Sequence, residues 1–364
     1  MSSSKKKEQK TTKRVKARLK KTDWQMSVGL LVVVVLGVLV AMILPDFVYR
    51  GDVEHVDTAD QDTVEDVVMY QHPLTGVSMT EEPASYPRVF GVMIDNHEDA
   101  WPPSGINEAF LVVEAPVEAG ISRMLAFFHE EQELEEIGPV RSARPYYLDW
   151  NNELDALYTH VGGSNAALDL IASGGTYDFN QYWWGSYFWR ASDRYAPHNV
   201  FTSSENLLAF SELREEQGAA PERLYGLWTF KDPEPVEAES TLHIDFFPPV
   251  YTVDWEYNRE TGRYERWQFD APHVTGEGER IEADNVAVVI TDVSVIDSVG
   301  RRDVRTTGEG QGHVLQDGQV IEVRWEKPSA SERLRFYVDE EEVVMNAGVT
   351  WIEVVPGEGS IEIE

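Results

Sequence analysis

The chain has 364 residues, enough for two ordinary domains, with a formal charge of −33 and no cysteine. The missing cysteine excludes disulfides, thiolate metal sites, cysteine nucleophiles and a lipid-modified N-terminal cysteine. The acidity argues against nucleic acid as a partner of the main body, because phosphates are repelled.

The charge is unevenly placed. Residues 1–25 hold ten lysines and arginines against Glu8 and Asp23, a basic tail suited to anionic lipid headgroups. Met26–Leu44 is 19 residues without a charge. At ~1.5 Å per residue such a helix reaches about 28 Å, close to the ~30 Å hydrocarbon core of a bilayer. The run is longer than the apolar core of a cleaved signal and leads into "PDFVYRGD" with no A-x-A pattern, so it reads as an uncleaved signal anchor, one transmembrane helix. The basic flank sets the tail in the cytoplasm and the main domains outside, giving a single-pass cell-membrane protein. Residues 45–85 are acidic, carry Pro73 and Pro83, lack periodicity and read as a stalk.

Arg88–Asn96, Ala109–Pro116 and Ser122–His129 are apolar runs of buried-strand length. Arg144–Leu154 fits a helix with Pro145 in its first turn, and Asp155–Gly163 a strand running into glycines. Ser164 stands as cap before "NAALDLIAS", and Thr202–Glu205 has capping-box spacing before "NLLAFSELREE". Residues 86–230 therefore read as a mixed α and β domain. Lys231–Ser240 is rich in proline and charge, a linker. Residues 241–357 show hairpin signatures in "VDWEYNRETGRYERWQF", around Asp317–Gly318 and in "RFYVDEEEVVMNAGVTWIEVV", with no helical period. "GEGQG" (Gly308–Gly312) resembles half a phosphate loop, but no helix follows and it reads as a plain turn. The expected class is α+β: one transmembrane helix, a mixed α/β extracytoplasmic domain, then a smaller β-rich domain.

The runs "GVMIDNHEDAWPPSGINEAFLVVEAPVEAGISRMLAFFH", "EEIGPVRSARPYYLDW", "DALYTHVGGS" and "APHNVFTS", with "GEGQGHVLQDGQVIEVRWEK" and "NAGVTWIEVVP" further on, resemble the YerB-like lipoproteins, a bacterial envelope family of unknown function. The resemblance spans roughly residues 85–356 and implies a tethered, two-domain extracytoplasmic protein with no established reaction. The family commonly carries a lipobox cysteine that this chain lacks, so the tether here falls to the transmembrane helix.

Several segments offer chemistry. Arg141 and Arg144 lie three apart, and Pro145 disfavours helix at Arg144, placing the pair at the lip of a helix start. His160, Gly162, Gly163 and Ser164 form a strand–glycine–helix pattern that can cradle an anion. Arg190, Arg194, His198 and Asn199 form a third group, and Asp95, Asn96 and His97 a fourth. Glu114, Glu118, Asp149 and Asp193 could neutralise the arginines in structural ion pairs. The expectation is that Arg144 faces a ligand with His160 and the Gly162–Ser164 turn, while Arg141 bonds Glu114 or Glu118. Catalysis, if present, would use His160 with Asp95 or Glu118 as acid and base. The aromatic run Tyr182–Trp189 reads as a loop packed on its own domain or as a stacking platform for sugars. Asp95 and His97 alone make no metal set and no H-E-x-x-H occurs, so neither metal nor cofactor is expected. The leading functional reading is recognition of an anionic envelope ligand, a cell-wall fragment or an envelope protein. A phosphodiester or glycan hydrolase and a non-catalytic envelope scaffold are the alternatives.

Overall fold

Three apolar runs supply the centre of the fold: β1 (Val89–Ile94), β2 (Leu111–Pro116) and β3 (Ser122–His129), with β3 antiparallel to both of its neighbours. All three are buried along nearly their whole length, so both faces of the sheet they begin must be covered. β4 (Leu157–His160) adds parallel to β1, and β5 (Tyr177–Asn180) parallel to β4. Helix α1 (Pro145–Asn152) starts at its proline, and Arg144 before it is extended (φ −131°, ψ 151°) as proline demands. Ser164 caps α2 (Asn165–Ala172) by accepting the Ala167 N–H at 3.3 Å. The cap of α3 (Ser204–Glu216) falls one residue later than the capping-box spacing implies. Ser203 accepts from Asn206 N–H at 3.2 Å, while Thr202 bridges to Ile137 and donates its hydroxyl to the Tyr187 carbonyl.

The structure, a computed structural model, describes residues 68–83, 85–219, 221–247 and 251–364. The basic tail, the 26–44 span and most of the predicted stalk lie outside those residues. No helix among the described residues is long and apolar enough to cross a membrane. Val67–Glu364 forms one compact unit. The end of the predicted stalk belongs to it: Tyr70–Gln71 and Ser78–Met79 pair as a hairpin whose His72 and Leu74 are buried, and Leu74 joins the core.

The part of the chain without α-helices builds β6 (Thr241–Phe247), β7 (Tyr251–Asn258), β8 (Arg263–Gln268), β9 (Asn285–Ile290), β10 (Gly308–Gln316), β11 (Gln319–Lys327), β12 (Arg335–Val338), β13 (Glu341–Glu342), β14 (Thr350–Val355) and β15 (Ile361–Ile363). β6, β7, β8 and β15 form a second sheet, with Ala271–Pro272 and Glu282–Ala283 pairing onto β8. The others join the first sheet, which runs β13-β12-β11-β10-β9-β14-β2-β3-β1-β4-β5, eleven strands in all. The division at 231–240 thus marks where helices stop, yet both sides share one sheet. The expected linker lies along it: Phe230–Lys231 pairs parallel with Met345–Asn346, and Lys231 Nζ and Glu234 N–H both bond the Asp317 carboxylate.

Two local expectations change. Gly308–Gly312 is no turn but the first half of β10, because a Cβ on Gly312 would overlap the Val288 carbonyl oxygen and one on Gly310 would lie 2.6 Å from Trp325 Nε1. The last predicted hairpin ends after β13, and β14 instead lies parallel to both β9 and β2.

Alternation along these strands sorts side chains into two layers. Met93, Val113, Leu125, Phe127 and Ile352 pack with α1 residues Tyr147 and Trp150 on one face. Val92, Val112, Met124, Ala126 and Trp351 pack on the other, against Leu207 and Phe210 of α3 and Trp255 and Tyr264 of the second sheet.

Candidate functional site

The site grows from the end of β1. Arg141 N–H bonds the Met93 carbonyl at 2.7 Å and Asp95 N–H the Pro139 carbonyl at 2.9 Å, which lays the 139–141 segment beside Asp95. Arg141 Nε then lies 2.9 Å from Asp95 Oδ2, an ion pair by distance although not aligned as a hydrogen bond. The 190–199 loop brings in His198, whose Nδ1 donates to the same oxygen at 2.6 Å. His97 stacks on His198 with ring centroids 4.6 Å apart. Burial alone would push the Asp95 carboxyl up, but the His198 hydrogen bond and the charges of Arg123 and Arg141 outweigh it and hold it below its usual range. With Nδ1 committed to Asp95, Nε2 is the ring nitrogen left to act as base or ligand.

Arg123, on β3, completes the site. It is 5% exposed, one guanidinium nitrogen donates to the Ser142 carbonyl at 2.9 Å, and its Nε has no acceptor. No carboxylate among the described residues reaches it at ion-pairing distance. Burial first, then the like charge of Arg144, draws its pKa down, against the pull of Asp95. Arg123, Arg141 and Arg144 thus face only Asp95 and Glu118, leaving one guanidinium in excess.

The two predicted arginine roles come out differently. Arg144 clamps Glu118 with two bonds of 2.7 Å, so it is Arg144 that fastens structure, and Arg141 that stands at the site. Glu114 pairs with neither; it belongs to Arg266. Glu118 is raised by burial and lowered more strongly by Arg144, with a net downward shift that does not suit a general acid. His160 is fully buried, with Nδ1 at 2.7 Å from the Gly162 carbonyl and Nε2 at 2.7 Å from Asp178 Oδ1. With both ring nitrogens occupied, it locks a turn and does not reach a ligand. The predicted anion cradle is closed as well, since Gly162 N–H bonds Asn180 Oδ1, Ser164 N–H bonds the Ala143 carbonyl, and Gly163 packs on Ala143.

Arg194 donates to the Ala100 and Pro102 carbonyls at 2.6 Å each and holds the 97–102 loop over the site. Asn199 ties its own loop through the Ala191 and Arg194 carbonyls and accepts from Arg190 at 2.8 Å. The aromatic run divides: Trp184, Tyr187 and Phe188 pack against the Phe179–Phe210 cluster, whereas Tyr182 and Trp183 are exposed. Tyr182 lies against Gly162, beside the Arg141–Arg144 segment. Donor atoms of His97, Asp99 and His198 lie within 4.8 Å of one another, a set that sequence spacing hid because His198 arrives from a distant loop, although Asp99 N–H already occupies His97 Nδ1 at 3.1 Å.

A second polar cluster lies between the two sheets. Glu114 and Glu353 sit opposite each other on neighbouring parallel strands, and Arg266 reaches Glu114 at 2.7 Å with both groups wholly buried. Asn96, Ser122 and Trp351 also donate to Glu114, and Trp255 Nε1–H donates to Glu353 at 2.8 Å. Sequence reasoning passed over Arg123 and Arg266. Their signals differ: Arg266 shares the buried face of an alternating strand with Tyr264 and Gln268, whereas Arg123 is a lone charge in an apolar strand buried on both faces.

Fold and site together define a class: a mostly β protein in two consecutive segments, the first bearing an arginine-rich Asp–His site and the second completing its sheet. The chain belongs to the DUF3048 family of proteins of unknown function, matching the N-terminal domain model over residues 74–218 and the C-terminal one over 242–352. It is 31% identical over 297 residues to the putative lipoprotein YerB of Bacillus subtilis (strain 168), covering 78% of this chain and 86% of that one. The crystal structure of the YerB protein from Bacillus subtilis matches it with a TM-score of 0.73 at 30% identity, over 81% of this chain and 99% of that one. The resemblance read from sequence motifs therefore holds.

Proposed function

We propose that this protein stands outside the cytoplasmic membrane on the Met26–Leu44 anchor and recognises an anionic envelope ligand at the Asp95–Arg141–His198 site. The relative described as a putative lipoprotein supports an envelope location, and an apolar helix can do for this cysteine-free chain what an acyl anchor does for a lipoprotein. One observation carries the ligand reading: Arg123 is buried beside the site without a carboxylate partner and with Nε unsatisfied, a cost that an arriving carboxylate or phosphate offsets. Exposed Tyr182 and Trp183 nearby suit the apolar face of a sugar, which favours an anionic cell-wall fragment. Calorimetric titration of the full chain in micelles with muropeptides and phosphorylated glycans tests this. Saturable binding should fall at least about tenfold in Arg123→Met and Arg141→Ala and persist in Arg144→Ala. Binding indifferent to Arg123 and Arg141, or none at all, refutes it. Protease added to spheroplasts should spare the basic tail and digest the body.

The 2.6 Å Asp95–His198 bond favours a second reading, hydrolysis with His198 Nε2 as base. Turnover that His198→Gln abolishes while binding survives would promote it.

A further inference from the structure

On the far end of β3 from Arg123, the chain brings a second histidine pair together. His72, in the Tyr70–Met79 hairpin, is 7% exposed, and its ring lies 4.6 Å from that of His129 between centroids. Glu131 follows in the turn after β3, with its side chain 55% exposed. His72 Nε2 lies 3.2 Å and His129 Nδ1 3.6 Å from the same oxygen, Glu131 Oε2. Both ring nitrogens are buried, and neither has a hydrogen-bond partner. Two imidazoles therefore present buried nitrogens to one carboxylate oxygen within ion-pairing distance, and neither contact is aligned as a hydrogen bond.

We propose that His72 Nε2, His129 Nδ1 and the Glu131 carboxylate form a site for a divalent transition metal of the zinc class, clasping the Tyr70–Met79 hairpin to the end of β3. With bonds of ~2.0–2.1 Å to nitrogen and oxygen, a tetrahedral zinc ion separates its donors by about 3.3 Å, close to the 3.2 and 3.6 Å nitrogen–oxygen spacings found here. Two imidazoles and one carboxylate suit zinc better than magnesium or calcium, which prefer all-oxygen sets. The exposed side of Glu131 leaves room for water as the remaining ligand. Loading must release one contact, the long 3.3 Å bond from Leu74 N–H to His72 Nδ1, because the metallated ring carries its proton there. Glu133 adds negative charge in the same turn, while the neighbouring Glu130 is taken up by Arg88 at 2.8 Å.

The test is titration of the untagged full chain in detergent with Co²⁺, read by visible absorption, followed by displacement with Zn²⁺ and thermal unfolding with and without Zn²⁺. One ion per chain and a raised unfolding temperature are expected. His72→Ala and His129→Ala should abolish binding, and Glu131→Gln, at a half-exposed position that does not threaten folding, should weaken it by about tenfold or more. His97→Ala and His198→Ala should leave it unchanged. Absence of saturable Co²⁺ or Zn²⁺ binding overturns the proposal, as does binding that survives Glu131→Gln at full strength or is lost with His198→Ala instead.

Discussion

Replacing Glu353 by glutamine should stabilise the protein at neutral pH and do little near pH 4. Glu353 is wholly buried on β14, directly opposite Glu114 on β2, and of these two carboxylates Arg266 bonds only Glu114. Burial, then the negative charge of Glu114, pushes the Glu353 carboxyl well above its ordinary value, outweighing Arg266 and the Trp255 hydrogen bond. The folded protein therefore keeps a proton on Glu353 over a range where the unfolded chain, titrating near ~4.3, has lost it. Since the folded state binds more protons there, stability falls as pH rises, by about 1.4 kcal/mol per unit until Glu353 itself ionises. Glutamine mimics the protonated acid in shape, can still accept the Trp255 N–H through Oε1, and has no proton to hold. The gap between variant and wild type should thus be near zero at pH 4 and widen with rising pH until Glu353 ionises. Urea unfolding followed by tryptophan fluorescence across pH 4–8 measures it, since Trp255 and Trp351 adjoin the site. Parallel stability curves, or a variant weaker than wild type at pH 7, would refute the reasoning.

Gly312→Ala should cost about 3 kcal/mol or more, because its Cβ would meet the Val288 carbonyl in the paired strand and backbone cannot yield as a side chain tip can; thermal unfolding checks it. Residues 241–364 expressed alone should lack cooperative unfolding, since β14 loses β2 as a partner and Arg266 loses Glu114. A sharp, denaturant-dependent transition in that fragment would show that the second segment folds by itself.

Much of this was legible because local patterns fixed it. The 122–129 run matches its strand to the residue, Pro145 opens α1 where its ring allows, and Ser164 caps α2. What failed depended on distant partners. Thr350–Val355 looked like the return arm of a hairpin, but its neighbours β9 and β2 could not be inferred from alternation, which is the same for any pairing. The arginine roles were exchanged for the same reason: Arg141 and Arg144 have identical chemistry, and only the pairing of Ile94 with Val140 decides which one meets Asp95. His198 and Asp95 were each visible, yet their bond needs a loop 103 positions away.

The placement of β14 also sets an order of events during synthesis. A strand drawn from near the end of the described chain lies between β9 and β2, so the growing polypeptide holds two open sheet edges until it arrives. On the proposed topology the body crosses the membrane before it can fold, and a sheet that cannot close early keeps the chain threadable for export. The same delay turns premature termination into a clear signal. Products truncated before Thr350 would present an unpaired β2 edge, with Glu114 deprived of the Trp351 bond, to the proteases of the envelope.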